Sequence, residues 1–374
     1  MTILETTAFG LTIVSSAWTA LGAWSVHRVT TPYAGEIPLD APAPVTVLKP
    51  LAGADPSLEE NLRSFFEQDH PDYELVFGVE APDDPALELV RRLLREYPEV
   101  RGRIVVHDTK GATNPKVRNL IGMMPHASHD LVLLSDSNVR APRSYLREAV
   151  RTLARDPEVG LVTHLFVGEG AATLPAQLEA VQLTGFVAAG AALPTCFGDA
   201  AVIGKSMLFS KSELGRLGGL DRVRDVLAED YVIGKMFQHA GRRVALGSTV
   251  LSNVIGRPSL RAVFDRQLRW SMLRWRLRPQ AHVLEPLSNP LVILPLLAVL
   301  VGGWAFAWYL AMLLLRDGYG AWRLGSTRGV VLPILLAPLR DLLALVVWLV
   351  TPLKRHVRWR GHRVRVGAGT LLYG

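Results

Sequence analysis

The chain has 374 residues, 49% of them hydrophobic, with a formal net charge of +7 and a positive mean hydropathy. Its single cysteine, Cys196, excludes an internal disulfide framework and a cysteine-clustered metal site. The apolar segments lie at the two ends and the charged residues between them, so no nucleic-acid partner is expected: a basic DNA-binding surface would explain none of the apolar ends.

Leu11 to Val26 is apolar, and Thr7 to Gly10 extend it to roughly 20 residues, the length that spans a bilayer. Glu5 precedes it, and His27 and Arg28 follow. A signal peptide carries its positive charge in front, so residues 7–28 read as a retained anchor, with a buried core helix as the alternative. The basic flank puts the next domain on the cytoplasmic side. Thr31 to Pro44, rich in Pro and Ala, reads as a linker.

From residue 44 to 255 short β-branched runs alternate with amphipathic ones. Val45 to Leu48 reads as a strand ending at Lys49-Pro50, and Leu58 to Phe66 as a helix. Tyr73 to Val79, Arg103 to Val106 and Asp130 to Leu134 read as further strands, and Pro85 to Tyr97 and Asn114 to Met124 as further helices. Val159 to Phe166 reads as a strand whose His164 suits a core position. Thr173 to Ala189 is an apolar, small-residue segment able to cover a sheet or touch lipid. Gly198 to Phe209 reads as a strand with a turn at Gly204, Tyr231 to Ala240 as a helix ended by Gly241, and Arg243 to Leu246 as a last short strand. The alternation predicts an α/β fold, Rossmann-like, with a mostly parallel sheet covered on both faces. In such sheets a ligand sits beyond the carboxyl ends of the strands.

Acidic groups gather at that edge. Glu80 and Asp83-Asp84 follow the second strand; Asp136-Ser137-Asn138 follow the fourth. A carboxylate there can accept from uracil or ribose, and Asp136 can ligate a divalent cation, Mg²⁺ or Mn²⁺, that bridges a diphosphate. Asp83-Asp84-Pro85 also suits a plain helix start, and Asp136-Ser-Asn a turn. Lys116, in the first turn of its helix, suits a phosphate, though a solvated charge is the commoner use of such a lysine. Glu229-Asp230 opens a helix, where acids also suit the helix dipole. Asp230 offers a carboxylate for a proton, and the run Arg266-Gln267-Leu268-Arg269-Trp270 offers fixed positive charge beside a flat aromatic surface. Taking a proton from a hydroxyl while expelling a diphosphate needs both.

Residues 257–283 contain six arginines between Arg261 and Arg278, with Trp270, Leu273 and Leu277 at helical spacing, and read as a basic amphipathic helix of the membrane interface. Residues 287–352 hold two apolar stretches. Leu287 to Leu315 reads as one span or, broken at Gly302-Gly303, as a hairpin. Val330 to Val350 carries Arg340-Asp341 at its centre, a pair that must be satisfied inside a membrane. Residues 353–374 form a basic tail, cytoplasmic by the positive-inside rule, and three spans would leave it on the same side as the domain.

An ordered set of motifs runs through the chain: Val47-Leu-Lys-Pro-Leu, Asp55-Pro, Asn61-Leu, Phe65-Phe-Glu, Asp83-Asp-Pro-Ala, Asn114-Pro-Lys-Val, Asp136-Ser, Ala228-Glu-Asp-Tyr and Arg266-x-x-Arg-Trp, with Arg340-Asp and Trp359-Arg-Gly beyond. The set resembles the ceramide glucosyltransferases and their bacterial relatives, the hopanoid-biosynthesis glycosyltransferases. The resemblance implies a glycosyltransferase A-type fold at the cytosolic face of a membrane, the bacterial inner membrane. It implies that Asp84 binds the nucleotide, that Asp136 binds metal and diphosphate, that Asp230 is the base, and that Arg266, Arg269 and Trp270 form the arginine-tryptophan motif. Asp136-Ser-Asn departs from the two-aspartate metal motif of many such enzymes, and an amide is a poorer ligand than a carboxylate. The reaction implied is an inverting transfer of one hexose, glucose or N-acetylglucosamine, from a UDP-sugar to the hydroxyl of a lipid such as ceramide or a hopanoid. A processive polysaccharide synthase is the alternative enzyme, and a membrane scaffold without catalysis the alternative class.

Overall fold

The computed structural model describes residues 2–32, 42–54, 57–199, 201–359 and 362–373. Most of the expected linker, the Asp55-Pro motif and the Arg360-Gly361 part of the last motif therefore lie outside the described residues. The chain forms two compact units: residues 29–166 with 194–254, and residues 1–28 with 167–193 and 255–374.

The first unit is built on an eight-stranded sheet. Its strands are β1 Val45–Pro50, β2 Tyr73–Val79, β3 Arg101–Val106, β4 Leu131–Ser135, β5 Val139–Arg140, β6 Val159–Glu169, β7 Ser206–Ser210 and β8 Arg243–Val254, in the order β3-β2-β1-β4-β7-β6-β8-β5. The β3-β2-β1-β4 half is parallel; β4 then pairs antiparallel with β7, and β7 with β6. Register fixes the working edge. Val45 faces both Tyr73 and Leu131, so β1, β2 and β4 start level and end at one edge. Ser206 pairs with Ser135, so β7 begins at that same edge and the residues just before it arrive there too.

Both faces are covered because the helices are amphipathic at the right period. On one side, Phe65 and Phe66 of Leu58–Phe66, Val90 and Leu93 of Ala86–Glu96, and Leu146 of Tyr145–Ala154 share a core with Val47 and Phe77. On the other, Val117 and Leu120 of Pro115–Met123 and Ile233 and Phe237 of Glu229–His239 pack with Leu48 and Leu134. Each fully buried Leu or Phe contributes about 1.5–3 kcal/mol relative to exposure. The helix Tyr145–Ala154 and the two-residue β5 follow from no expectation above. β8 runs eight residues past Leu246, and β7 is regular only from Ser206.

The second unit is mainly helical. Ile3–Thr30 buries a stripe of small residues, Ser15, Thr19, Gly22 and Ser25, while Ile13, Trp18 and Trp24 stay exposed. Small residues let helices approach closely where lipid offers no hydrophobic driving force; the Trp308 indole donates to Ser16 Oγ at 2.9 Å across such a contact. Among the described residues, Ile3–Thr30 and Val331–Leu353 are long and apolar enough to cross a bilayer. Pro279–Ser288 and Pro290–Val301, bent by 52°, reach that length together. Leu287 to Leu315 is not one straight helix: it breaks at Gly302, which has φ +56, into Pro290–Val301 and Trp304–Leu313. Thr173 to Ala189 becomes the helix Leu174–Gln182, a π-turn Leu183–Val187 and the start of Ala188–Cys196. The helix Leu260–Leu277 is capped by Ser259. It buries Val263, Gln267, Leu268, Ser271 and Met272 and leaves Trp270, Leu273 and Leu277 partly exposed, so its apolar residues divide between protein and surroundings. Arg340 and Asp341 are fully buried and joined by Arg316 and Asp317.

Candidate active site

At the carboxyl edge of the sheet five segments converge: the ends of β1 and β4, the approach to β7, and the N-termini of the helices Pro115–Met123 and Glu229–His239. Asn114 makes the first of these helices begin where it does. Its Oδ1 accepts from the backbone N–H of Lys116 and Val117, and Pro115 needs no such partner. Asn114 Nδ2 donates to the Val226 carbonyl at 2.7 Å and to Glu229 Oε2 at 3.4 Å, so the Asn-Pro-Lys and Ala-Glu-Asp motifs interlock.

Lys116 is at the centre. Its ammonium lies 2.9 Å from Asp136 Oδ1, 3.1 Å from Glu229 Oε1 and 2.7 Å from the Gly204 carbonyl. Burial alone would lower its pKa, but the charges of Asp136, Glu229 and Asp230 raise it well above the usual lysine range. Burial pushes the Asp136 carboxyl up, yet Lys116 and Lys205 more than offset this and hold it at about 2. Lys205 stands 3.6 Å from Asp136 Oδ2 and 2.9 Å from Asn138 Oδ1.

The two acids that open the helix Glu229–His239 differ. Glu229 is buried and held by Lys116 and Asn114. Asp230 is partly exposed: Oδ2 accepts from the Gly204 N–H at 2.8 Å and Oδ1 from the Tyr231 N–H at 2.8 Å. Burial raises the pKa of both, and Lys116 opposes the rise in each case. A partly open carboxylate with a raised pKa suits a base; a buried one already paired suits a scaffold.

Asp84 lies after β2 at the same edge, and its carboxylate accepts from the N–H of Gly53, at 3.0 and 3.2 Å, and of Ala86 at 2.8 Å. It therefore ties the loop after β1 to the start of the helix Ala86–Glu96. Arg266, Arg269 and Trp270 belong to the second unit, on the helix Leu260–Leu277; Arg266 Nη1 meets the buried Glu179 at 2.7 Å. Asp136 and Glu229 thus meet the Lys116 ammonium in the first unit and Asp230 joins them through Gly204, with Asp84 two strands along from Asp136.

Lys49, at the end of β1, was assigned no role by sequence. It is wholly buried. Its ammonium donates to the Asp136 carbonyl at 2.6 Å and to Ser135 Oγ at 3.2 Å, and it sits 3.8 Å from the centre of the Phe65 ring. Burial pulls its pKa down to about 7, with Asp136 opposing and Lys205 adding to the effect. A lysine inside an apolar strand run is itself a signal, since lysine is almost never fully buried without partners.

Among the described residues no three His, Cys, Asp or Glu side chains gather as a metal cage. Asp136 offers one carboxylate, and Asn138 already serves Lys205. One carboxylate plus substrate phosphates is how Mg²⁺ is commonly held, so these residues fit a cation that arrives with a diphosphate.

Comparison with known proteins gives a consistent picture. A model of glycosyl transferase family 21 matches residues 7–372. Ceramide glucosyltransferase 1 of Caenorhabditis elegans is 28% identical over 245 residues, covering 66% of this chain and 53% of that protein. The ceramide glucosyltransferase of Komagataella phaffii is 28% identical over 309 residues, covering 66% of this chain and 60% of that protein. The chain thus spans less than two thirds of the length of either. Among solved structures, the mannosyltransferase PcManGT from Pyrobaculum calidifontis, in complex with GDP-Man and Mn²⁺, superposes with a TM-score of 0.55 at 22% identity, covering 94% of this chain and 99% of that one. At that identity the likeness concerns the fold, which is of the glycosyltransferase A type.

Proposed function

Because the chain belongs to glycosyl transferase family 21, we propose that it is a membrane-bound enzyme that transfers one hexose, glucose or N-acetylglucosamine, from a UDP-sugar to the hydroxyl of a membrane lipid of the ceramide or hopanoid kind. Its first unit works at the cytoplasmic face of a bacterial inner membrane. The apolar helices Ile3–Thr30 and Val331–Leu353 support the membrane setting, and the names of the curated relatives support the lipid acceptor.

The observation that carries the mechanism is the contrast between Glu229 and Asp230: one carboxylate locked by Lys116 and Asn114, its neighbour partly open with a raised pKa. Asp230 takes the proton of the acceptor hydroxyl as its oxygen bonds to the anomeric carbon. The bond from that carbon to the diphosphate breaks on the opposite face, UDP leaves with the electron pair, and the configuration inverts. Asp84 and Asp136 of the first unit serve the nucleotide-sugar, and Lys116 stands behind Asp136. Mg²⁺ or Mn²⁺ held by Asp136 would supply positive charge against the leaving diphosphate.

The test uses membranes containing the full chain, labelled UDP-glucose or UDP-N-acetylglucosamine, Mg²⁺ or Mn²⁺, and ceramide, diacylglycerol and hopanoid acceptors. Label passing to a single lipid is expected. Label found only in a polymer would replace this reading with a polysaccharide synthase, and no transfer from any donor would overturn it.

A further inference from the structure

One loop residue joins the two sides of the site. Gly204 offers its carbonyl to the Lys116 ammonium at 2.7 Å and its N–H to Asp230 Oδ2 at 2.8 Å. Lys116 in turn reaches Glu229 at 3.1 Å, and Glu229 is the residue before Asp230. The contacts close a ring: Lys116 to Gly204, Gly204 to Asp230, Asp230 through the backbone to Glu229, and Glu229 back to Lys116. The third N–H of Lys116 leaves the ring for Asp136 at 2.9 Å. An ammonium has three donors, and all three meet protein acceptors here.

The ring has no room for a larger loop residue. A Cβ on Gly204 would lie 2.8 Å from Asp230 Oδ2 and 3.0 Å from Asp230 Cβ. Real Cβ atoms do not approach a carboxylate so closely, so any side chain at 204 would push Asp230 aside.

We propose that Lys116 and Gly204 are positioning residues that fix Asp230 against Asp136, so that the proton-accepting carboxylate and the diphosphate-side carboxylate are held by one internal cation. The inference rests on Asp230 being the base. Lys116 then acts on the sugar-nucleotide only through Asp136, not as a direct phosphate ligand. A hydroxyl reacts only when oxygen, base and anomeric carbon are aligned, and a misplacement of about 1 Å costs on the order of a hundredfold in rate.

The test compares the full-length wild type with Gly204→Ala, Lys116→Met and Lys116→Arg, using UDP binding by calorimetry, donor KM and transfer kcat, and amide hydrogen exchange over residues 203–206 and 228–232. Gly204→Ala keeps every charged group, so it reads position without the burden of an unpaired buried acid. Expected is a loss of kcat on the order of a hundredfold in Gly204→Ala, with UDP affinity within about threefold of wild type and partial recovery of kcat from Lys116→Met to Lys116→Arg. Unchanged kcat in Gly204→Ala would overturn the proposal. So would a loss of UDP affinity in Lys116→Met that matches its loss of kcat, because that is the signature of a phosphate ligand. If the wild type itself transfers no sugar, the functional reading fails, and exchange decides the ring separately: faster exchange in both segments of Lys116→Met supports it, and unchanged exchange sinks it.

Discussion

The Lys49 ammonium, wholly buried, donates to the carbonyl of Asp136 at 2.6 Å. It pins the backbone just where β4 ends and the loop carrying Asp136 begins. Lys49→Met fills the same space over the Phe65 ring but takes the ammonium donor from Ser135 Oγ and from the Asp136 carbonyl, which keeps only the Val139 N–H at 3.3 Å. The donor KM should rise by about tenfold, with a smaller change in kcat, because ground-state and transition-state binding of the nucleotide suffer alike. Steady-state kinetics over a range of UDP-sugar concentrations read the split; an unchanged KM would mean the loop holds itself.

Asp230 must be ionised to take a proton. Its pKa is raised from 3.8 by burial, and Lys116 opposes the rise. The acid limb of kcat/KM should therefore lie above the ordinary aspartate range, with activity rising as pH increases through it. In Lys116→Met the opposing charge is gone, so the limb should move to still higher pH. A limb that stays put would separate the pH dependence from Asp230.

His164 gives a stability prediction of definite sign. It is fully buried, its Nδ1 lies 2.9 Å from Ser206 Oγ, and burial pulls its pKa from 6.5 to about 3. Between those values the unfolded chain binds a proton that the folded chain does not. The contribution is constant above pH 6.5 and is lost as pH falls toward 3, with a limiting slope of about 1.4 kcal/mol per pH unit. The apparent melting temperature of the wild type should fall across this window, and the fall should be shallower in His164→Asn.

The sequence made the first unit readable where period and punctuation agree. The strand Tyr73–Val79 and the helix Leu58–Phe66 occur with the expected bounds, the strand as a short apolar run between turn residues and the helix through its amphipathic period. The helix Tyr145–Ala154 escaped because Arg147, Arg151 and Arg155 mask its buried face of Tyr145, Leu146, Ala149 and Val150. The site was readable as acids at strand ends, a one-dimensional pattern. The roles of Lys49, Gly204 and Glu229 were not, because each depends on what another segment brings to it: the Asp136 carbonyl, the Lys116 ammonium, the Asn114 amide. The glycine break at 302 was among the alternatives because Gly-Gly inside an apolar run marks it; register between helices leaves no such mark.

In the second unit Arg316, Asp317, Arg340 and Asp341 form a buried network. Arg340 Nη2 is 2.7 Å from Asp317 Oδ1, and Arg316 Nη2 is 2.9 Å from Asp341 Oδ2. The Asn289 amide donates to the Asp341 carbonyl at 3.0 Å. Two positive and two negative charges balance, so removing one strands its partner. Asp317→Asn should cost about 3–5 kcal/mol and lower the melting temperature in detergent. The double variant Asp317→Asn with Arg340→Met should cost less than the two single losses added. Additive losses would show that the pairs act independently.

The central claim is that Asp230 takes the acceptor proton, and Asp230→Asn tests it most directly. The amide keeps the size of the side chain and can still accept from the Gly204 N–H, but it cannot hold the proton. Purified full-length wild type and variant are compared for UDP affinity and for transfer of labelled sugar to the lipid acceptor. The account predicts UDP affinity within about threefold of wild type and a loss of transfer of at least about a hundredfold. Transfer at the wild-type rate in Asp230→Asn would contradict it and move the search for the base elsewhere.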